Sequence, residues 1–163
     1  KLGARVTIAA GDEPLNLAVR AKPNLVALSR KQLEALLNFP VRTSEDIQYA
    51  ARKLRERGAE KVLVTAFGDQ QDPAAILVTD EKIWHVIVPE AETGTLSGVA
   101  DAMLGGLLAS DFDGKTLVES LELAASAAAY TASMVGNDFG TVSLVEQQNA
   151  QIRVVEVERK PDQ

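Results

Sequence analysis

The sequence Ser97-Gly-Val-Ala-Asp101 combines four small residues with one carboxylate at the start of an apolar segment. No side chain from Ser97 to Ala100 is larger than valine, so backbone amides in a turn here could approach a bound anion closely. The segment that follows, as far as Ala109, is rich in Ala, Gly and Leu and predicts a helix. The positive N-terminal end of that helix would add to the same site, so the pattern predicts an anion site at this turn.

Asp101 places a negative charge beside the predicted anion site, and such a placement needs a reason. One reason is catalysis, in which the carboxylate deprotonates a hydroxyl while the amides hold a transferring phosphoryl group. The alternative is structural, with Asp101 stabilising the dipole of its helix and Gly98 acting as an ordinary turn residue. On these five residues alone the structural role is the simpler interpretation, and both stay open.

Composition excludes several classes of function. The 163 residues carry a net charge of −6 with no extended basic cluster, which argues against binding of nucleic-acid phosphates. There is no cysteine and a single histidine, His85, so a disulfide framework, a thiolate metal site and a multi-histidine metal site are excluded. No apolar run approaches ~18 residues, so we expect no membrane span. The chain opens at Lys1 without a recognisable signal peptide, and we expect a cytoplasmic protein.

Short apolar runs alternate with segments of helical periodicity along the chain. Ser29 is a suitable N-cap for a helix over 30–37, and Thr43 with Asp46 forms a capping-box pattern for the next helix. The predicted strands are 5–9, 25–28, 61–65, a hairpin of 75–79 and 83–88, and an edge strand over 152–158. Strands without polar alternation are buried on both faces. We therefore predict one α/β domain over residues 1–163, with three αβα layers and a mostly parallel sheet carrying one antiparallel hairpin.

In such folds ligands bind beyond the carboxyl ends of the strands. The loops predicted at that edge are 9–13, Ser29, 65–73 and 96–101. The turn with Asp101 is therefore expected on the ligand-binding side of the sheet.

Several segments, in order, resemble the C-terminal half of the ribokinase/phosphofructokinase-B family of sugar kinases. The stretches that carry the resemblance are Lys22-Pro-Asn-Leu-Val-Ala-Leu-Ser-Arg-Lys-Gln-Leu-Glu34, Ala59-Glu-Lys-Val-Leu-Val-Thr65 and Ser97-Gly-Val-Ala-Asp-Ala-Met-Leu-Gly-Gly-Leu107. Met103 and the ending Ile152-Arg-Val-Val-Glu-Val157 resemble the branch of 1-phosphofructokinase and tagatose-6-phosphate kinase. The resemblance implies a ribokinase-like fold and ATP-dependent phosphorylation of a sugar or sugar phosphate.

The resemblance also implies roles for particular residues. Asp101 matches the base that deprotonates the sugar hydroxyl, and the amides of Gly98, Val99 and Ala100 match the anion hole. The positions matched to nucleotide binding are Thr65, Gly68, Ser29, Gln32 and Asn137. Mg²⁺ would bridge the nucleotide phosphates, and no metal ligand is assigned in the protein. The resemblance covers only the C-terminal half of the family, so the N-terminal half with the sugar site is expected to be absent from this chain, and we expect association with that half or a homo-oligomer.

Some positions depart from the family pattern. Ser29 and Gln32 replace an asparagine and a glutamate that help to arrange phosphates and Mg²⁺, although a second alignment uses Lys22-Pro23-Asn24 as that motif. Ala100 replaces a glycine, and an alanine forced to positive φ costs about 1 kcal/mol or more. These departures keep a pseudokinase, retained for binding or assembly, as the alternative. We expect the isolated portion to be inactive in either case, because positioning is most of phosphoryl-transfer catalysis.

The remaining polar and aromatic residues receive structural interpretations. His85 is predicted to be a surface residue of the hairpin, and Trp84 to pack on its covered face. The group of Arg52, Lys53, Arg55 and Arg57 is predicted to be a solvated helix face.

Overall fold

The computed structural model describes residues 3–66, 73–88, 96–134, 139–147 and 152–158. The helices within these ranges are α1 Asp12–Val19, α2 Arg30–Leu37, α3 Ser44–Glu56, α4 Val99–Phe112, α5 Leu117–Ser133 and α6 Val142–Glu146. The strands are β1 Thr7–Ala9, β2 Leu25–Ser29, β3 Lys61–Thr65, β4 Ala75–Val78, β5 Ile83–Ile87 and β6 Arg153–Val157. The strand and helix order predicted from the sequence is confirmed, with α6 added in a segment that the sequence left undetermined.

The described chain divides into two compact units. The first unit comprises residues 3–66, 75–85 and 156–158, and the second comprises 73–74, 86–88, 96–134, 139–147 and 152–155. Across these described ranges, every helix is too short or too polar to pass through a lipid bilayer.

The six strands form one sheet in the order β1-β2-β3-β4-β5-β6. β1, β2 and β3 run parallel, and β4 runs antiparallel to β3. The turn between β4 and β5 is closed by a 2.9 Å hydrogen bond from the Thr79 amide to the Lys82 carbonyl, which gives the predicted hairpin. β6 lies at the end of the strand order, as the predicted edge strand should.

The core of the first unit forms where three helices cover one face of β2, β3 and β4. Its members come from α1, α2 and α3 and from alternate strand positions such as Val26, Val64 and Ile76. The intervening strand residues Leu63 and Leu77 are also fully buried. A sheet buried on both faces is the central layer of a three-layer α/β fold, as the solid apolar strands predicted.

Three helices begin at capping boxes, in which the N-cap side chain and the third helical residue satisfy each other's backbone amides. They start at Ser29 with Gln32, Thr43 with Asp46, and Thr116 with Glu119. The Arg42 backbone amide, a donor to Asp46, is the main cause that lowers the pKa of that carboxyl. The Thr116 hydroxyl likewise lowers the pKa of Glu119. The caps at Ser29 and Thr43 start α2 and α3 where the sequence predicts them.

In the second unit, α4 and α5 pack so closely that one position accepts only glycine. A Cβ placed on Gly106 would lie 2.9 Å from the Ala124 Cα and 3.3 Å from the Leu123 carbonyl oxygen. Both of those atoms belong to the α5 backbone, which cannot move aside as a flexible side chain could. The small side chain of Ala124 on the alanine-rich α5 leaves room for this close contact.

His85 is not the exposed residue that the sequence predicts. It is half-buried on β5, and its Nε2 lies 3.0 Å from Nε2 of Gln48, a buried residue of α3. An amide nitrogen can only donate, so His85 Nε2 accepts, as a neutral imidazole does. Burial lowers the pKa of His85, and the nearby Glu45 carboxylate opposes that effect. Trp84 beside it is half-buried, with the Lys82 ammonium 5.5 Å from the centre of its ring.

The neutral His85 makes stability depend on pH near neutrality. The unfolded chain has the ordinary histidine pKa of 6.5, above the lowered folded value, so it binds the extra proton first as pH falls. This contribution to the free energy of unfolding is therefore complete above pH 6.5 and is lost as pH drops below it. We expect the urea concentration at the unfolding midpoint to decrease as the pH is lowered from about 7.5 to about 5.5.

The control is His85→Gln, which keeps an acceptor for Gln48 but does not titrate. Since His85 is the chain's single histidine, the variant should lose most of the pH dependence in this window. An equal slope in the native protein and the variant would show that other groups cause it.

The α4–α5 contact gives a second stability prediction. Gly106→Ala should lower the free energy of unfolding by roughly 1–3 kcal/mol, because the new methyl overpacks against the α5 backbone. Gly105→Ala is the matched control, since no atom lies within 4 Å of a Cβ there and the position is exposed. It should be neutral or stabilising by up to about 1 kcal/mol through helix propensity. Urea unfolding of both variants tests the contact, and equal effects would contradict it.

Candidate functional site

Two of the predicted site residues end adjacent parallel strands of the first unit. Ser29 closes β2, Thr65 closes β3, and the two are register partners. The same edge includes the end of β1, since Ala9 pairs with Ala27 two residues before Ser29. Thr65 is 7% exposed, so its side chain is largely covered. The edge is therefore the carboxyl edge at which parallel α/β sheets bind ligands.

Ser29 and Gln32 are held together by the capping box of α2. The backbone amide of Gln32 donates to Ser29 Oγ at 3.2 Å, and the backbone amide of Ser29 donates to the side-chain oxygen Oε1 of Gln32 at 2.8 Å. These bonds occupy the Gln32 carbonyl oxygen and one lone pair of the Ser29 hydroxyl. The Ser29 hydroxyl proton and the Gln32 side-chain NH₂ group are not part of the box. The pair could therefore donate hydrogen bonds to an anion while the cap stays intact.

Gln32 also lies against the start of α1. Its Nε2 is 3.0 Å from the place where a Cβ on Gly11 would be. Gly11 is the N-cap of α1 and makes no side-chain cap. A glycine here lets the amide group of Gln32 approach the backbone that follows β1. From the sequence, Gly11 is predicted only as part of the loop over 9–13, because the close approach depends on a residue 21 positions away.

The second unit contains the turn and helix start that the sequence singled out. Gly98 is the N-cap of α4 and adopts a left-handed conformation with φ 76° and ψ −6°. The first intrahelical bond runs from the Ala102 amide to the Gly98 carbonyl at 2.8 Å. The amides of Val99, Ala100 and Asp101 therefore precede the hydrogen-bonded ladder, as helix geometry requires. Donors at such a helix start can bind an anion.

The expected strain at Ala100 is not present. Ala100 lies in the first turn of α4, whereas the left-handed residue is Gly98. Alanine is a favourable residue in a helix, so its substitution for glycine does not tilt an amide away. Val99 is 1% exposed and fixes the helix start by its burial. The departure at Ala100 is therefore compatible with an anion hole built on this turn.

Asp101 is exposed on the first turn of α4. It is the acidic residue of the first turn of α4, and its carboxylate is accessible to a substrate. Gly98, Val99, Ala100 and Asp101 are thus brought together in one turn of the second unit, as predicted.

Two predicted nucleotide-binding residues, Gly68 and Asn137, lie outside the described residues. In the part of the chain that is described, no three His, Asp or Glu side chains come close enough together to hold a metal ion.

Comparison with known proteins assigns the chain to a family. Residues 9–160 match the pfkB family of carbohydrate kinases. The chain is 28% identical over 151 residues to 1-phosphofructokinase of Bacillus subtilis, covering 93% of this chain and 48% of that protein. It is 26% identical over 128 residues to the ATP-dependent 6-phosphofructokinase isozyme 2 of Escherichia coli, covering 78% of this chain and 40% of that protein.

Solved structures share the fold. Phosphofructokinase-2 from Escherichia coli, in complex with potassium, matches 91% of this chain and 47% of its own, with a TM-score of 0.80 and 23% identity. Arabidopsis thaliana ribokinase with ribose and ATP matches 90% of this chain and 48% of its own, with a TM-score of 0.78 and 21% identity. The chain belongs to the pfkB family and has a ribokinase-like α/β fold. It spans about half the length of the relatives it matches.

The turn before α4 can be tested with two glycines of the same conformation. Gly98 has φ 76° and Gly114, beyond the end of α4, has φ 75°. An alanine costs about 1 kcal/mol at either, because the left-handed region brings Cβ close to the following carbonyl. Gly98→Ala and Gly114→Ala should therefore lower the free energy of unfolding by similar amounts in urea titrations. A much larger loss for Gly98→Ala would show an unrecognised steric role for that residue.

Proposed function

We propose that this chain is the nucleotide-binding half of a pfkB-family kinase that transfers a phosphoryl group from ATP to a hydroxyl of a sugar or sugar phosphate. The observation that carries the proposal is the helix start of α4, where an exposed Asp101 follows a left-handed Gly98 in a chain that belongs to this family. The relatives named as phosphofructokinases support a sugar phosphate as acceptor.

The residues of this helix start would divide the reaction between them. Asp101 takes the proton of the acceptor hydroxyl while the oxygen of that hydroxyl forms a bond to the γ-phosphorus of ATP. The bond from that phosphorus to the β,γ-bridging oxygen breaks, and ADP leaves with the electron pair. The amides at Gly98, Val99 and Ala100 donate to the phosphoryl oxygens during transfer. A base and an anion hole on one rigid turn keep their geometry fixed through the step.

The carboxyl edge of the first unit would serve the nucleotide. Thr65, the last residue of β3, would contact the nucleotide, and the family resemblance adds Gly68 and Asn137, which lie outside the described residues. Ser29 and Gln32 would donate hydrogen bonds to its phosphates from the donors that the capping box leaves over. Mg²⁺ would arrive with the phosphates, whose oxygens it prefers, and carry part of their charge.

Catalysis would also require the half of the relatives that this chain does not cover, whether it is part of the same polypeptide or of a second one. The 163 residues correspond to about half of the relatives, and a kinase must also hold its acceptor in line with the phosphoryl group. We therefore expect the isolated chain to phosphorylate no sugar or sugar phosphate in a coupled ADP-release assay. Turnover by the purified 163-residue chain would reject this division of the site.

A pseudokinase is the second candidate, and the absence of charge on Ser29 and Gln32 favours it. Ser29 and Gln32 stand where the family resemblance expects an asparagine and a glutamate, and here they satisfy each other's backbone amides. An uncharged pair would hold a phosphate-bound Mg²⁺ less strongly than a carboxylate. A domain of this kind would keep the fold and bind partners without turnover.

The base is tested in the longest form of the protein that its source makes. Asp101→Asn should lower kcat by about 10²- to 10⁴-fold, because it removes the proton acceptor and keeps the side-chain shape. Glu146→Gln, an exposed acid on α6, is the matched control and should retain the native rate. Gly98→Ala should also reduce turnover, whereas Gly114→Ala should not. Equal rates for the native protein and the Asp101 variant would reject the assigned role.

Calorimetry with ATP and Mg²⁺ separates the two candidates. ATP binding together with turnover of a sugar or sugar phosphate supports the kinase. A folded full-length protein that neither binds ATP nor turns over any member of a sugar-phosphate panel supports the pseudokinase.

A further inference from the structure

The C-terminal end of α4 exposes large apolar side chains that have no role in the proposed reaction. Phe112 is 85% exposed and Leu108, one turn earlier, is 38% exposed. Residues four apart lie on the same side of a helix, so the two side chains form one patch. On the opposite side of α4, Met103, Leu107 and Ser110 are buried. Both sides of this helix are thus apolar, and one of them faces solvent at its C-terminal end.

The rim of this patch is acidic. Asp111 and Asp113 flank Phe112, and both are exposed. α4 has no lysine or arginine in its sequence, and Lys115 is the single cation from Leu108 to Thr116. We call Leu108, Asp111, Phe112 and Asp113 the acidic tip. An exposed aromatic with an acidic rim fits an apolar surface with a basic rim, since complementary charges give an interface its specificity.

The first unit carries such a surface where α1 and α3 end. Leu17 is 63% exposed on α1, and Arg20 lies exposed beside it. Arg57, the exposed C-cap of α3, donates from Nη1 to Asn16 Oδ1 at 3.4 Å, which places its guanidinium next to the same part of α1. Lys22 is exposed in the turn that follows α1. We call Leu17, Arg20, Lys22 and Arg57 the basic surface; two exposed acids lie near it, Glu13 one turn before Leu17 and Glu56, which pairs with Lys53.

We infer that the acidic tip of one copy docks on the basic surface of a second copy of this chain. Phe112 and Leu108 meet Leu17, and Asp111 and Asp113 face Arg20 and Arg57. The two surfaces differ, so the contact is head-to-tail, and assembly continues past the dimer unless a ring closes. A contact of this size is weak and depends on salt, because its charges lie at an exposed rim.

The docking surface is separate from the proposed catalytic residue. Phe112 follows Asp101 by eleven positions, about 16 Å along a helix. Loss of self-association and loss of kinase activity are therefore distinguishable, and variants at the acidic tip leave the turn at Gly98 unchanged.

The apolar part is tested by sedimentation velocity of the 163-residue chain over a concentration series. The native chain should associate with rising concentration, and less so at 500 mM than at about 50 mM salt. Phe112→Ser should weaken association about tenfold or more, as loss of a central aromatic does. Val142→Ser is the matched control, since Val142 is 67% exposed in the same unit but lies on α6. It should change the association constant less than about twofold.

The charge pairing is tested by exchanging the signs. The variant with Asp111→Lys and Asp113→Lys should be monomeric, and so should the variant with Arg20→Glu and Arg57→Glu, because each meets like charge in its own copies. Mixed in equal amounts, the two variants should associate. The lysine-substituted tip of one variant then meets the glutamate-substituted surface of the other, and the unchanged tip of the second meets the unchanged basic surface of the first. Far-ultraviolet circular dichroism checks that each variant is folded.

Two results would overturn the inference. A native chain that stays monomeric at all concentrations and salt levels would leave the acidic tip to another partner. Association that survives Phe112→Ser, or that is not restored by mixing the two charge variants, would place the contact elsewhere on the molecule.

Discussion

Burial of the sheet on both faces is the constraint on which the first unit depends. β2, β3 and β4 have almost no exposed position, and alternate residues such as Val64 and Leu63 are buried on opposite faces. A strand in this environment cannot carry a polar side chain in its middle without a buried partner. Polar residues are therefore confined to the strand ends, and in β2 and β3 these ends are Ser29 and Thr65. Because polar side chains are excluded from the centre of the sheet, the residues of this unit that could bind a ligand lie at its carboxyl edge.

The same residues also have to start a helix, and this limits what they can bind. Ser29 caps α2 immediately after β2, and Gln32 completes the box. The two hydrogen bonds of the box use the backbone amides of both residues, and the Ser29 hydroxyl proton and the Gln32 side-chain NH₂ group are not part of it. A carboxylate at position 32 could also cap the helix and would bring a charge. The choice of Gln32 therefore leaves the fold intact and changes only the charge offered to a ligand.

Glycine marks the places where backbone approaches backbone or turns to the left. Gly106 brings α4 against α5, and Gly98 sets the angle at which α4 begins. Together they fix the helix that carries Asp101 at one end and Phe112 at the other. The proposed catalytic turn and the proposed docking surface are separated by the length of α4, about 16 Å between Asp101 and Phe112.

The sequence by itself determined the strands, the N-cap at Ser29, the capping box of Thr43 with Asp46, and the family. Those features rest on local patterns: apolar runs, the i to i+3 pair of Thr43 with Asp46, and motifs in a fixed order. Tertiary structure decided what depends on residues distant in the chain. The lowered pKa of His85 comes from its burial, and its hydrogen-bond partner Gln48 lies on α3, 37 positions earlier in the chain. The approach of Gln32 to Gly11 likewise brings the first turn of α2 against the start of α1. Ala100 is compatible with the turn because the left-handed residue is Gly98. Only the backbone geometry shows which position of the motif adopts that conformation.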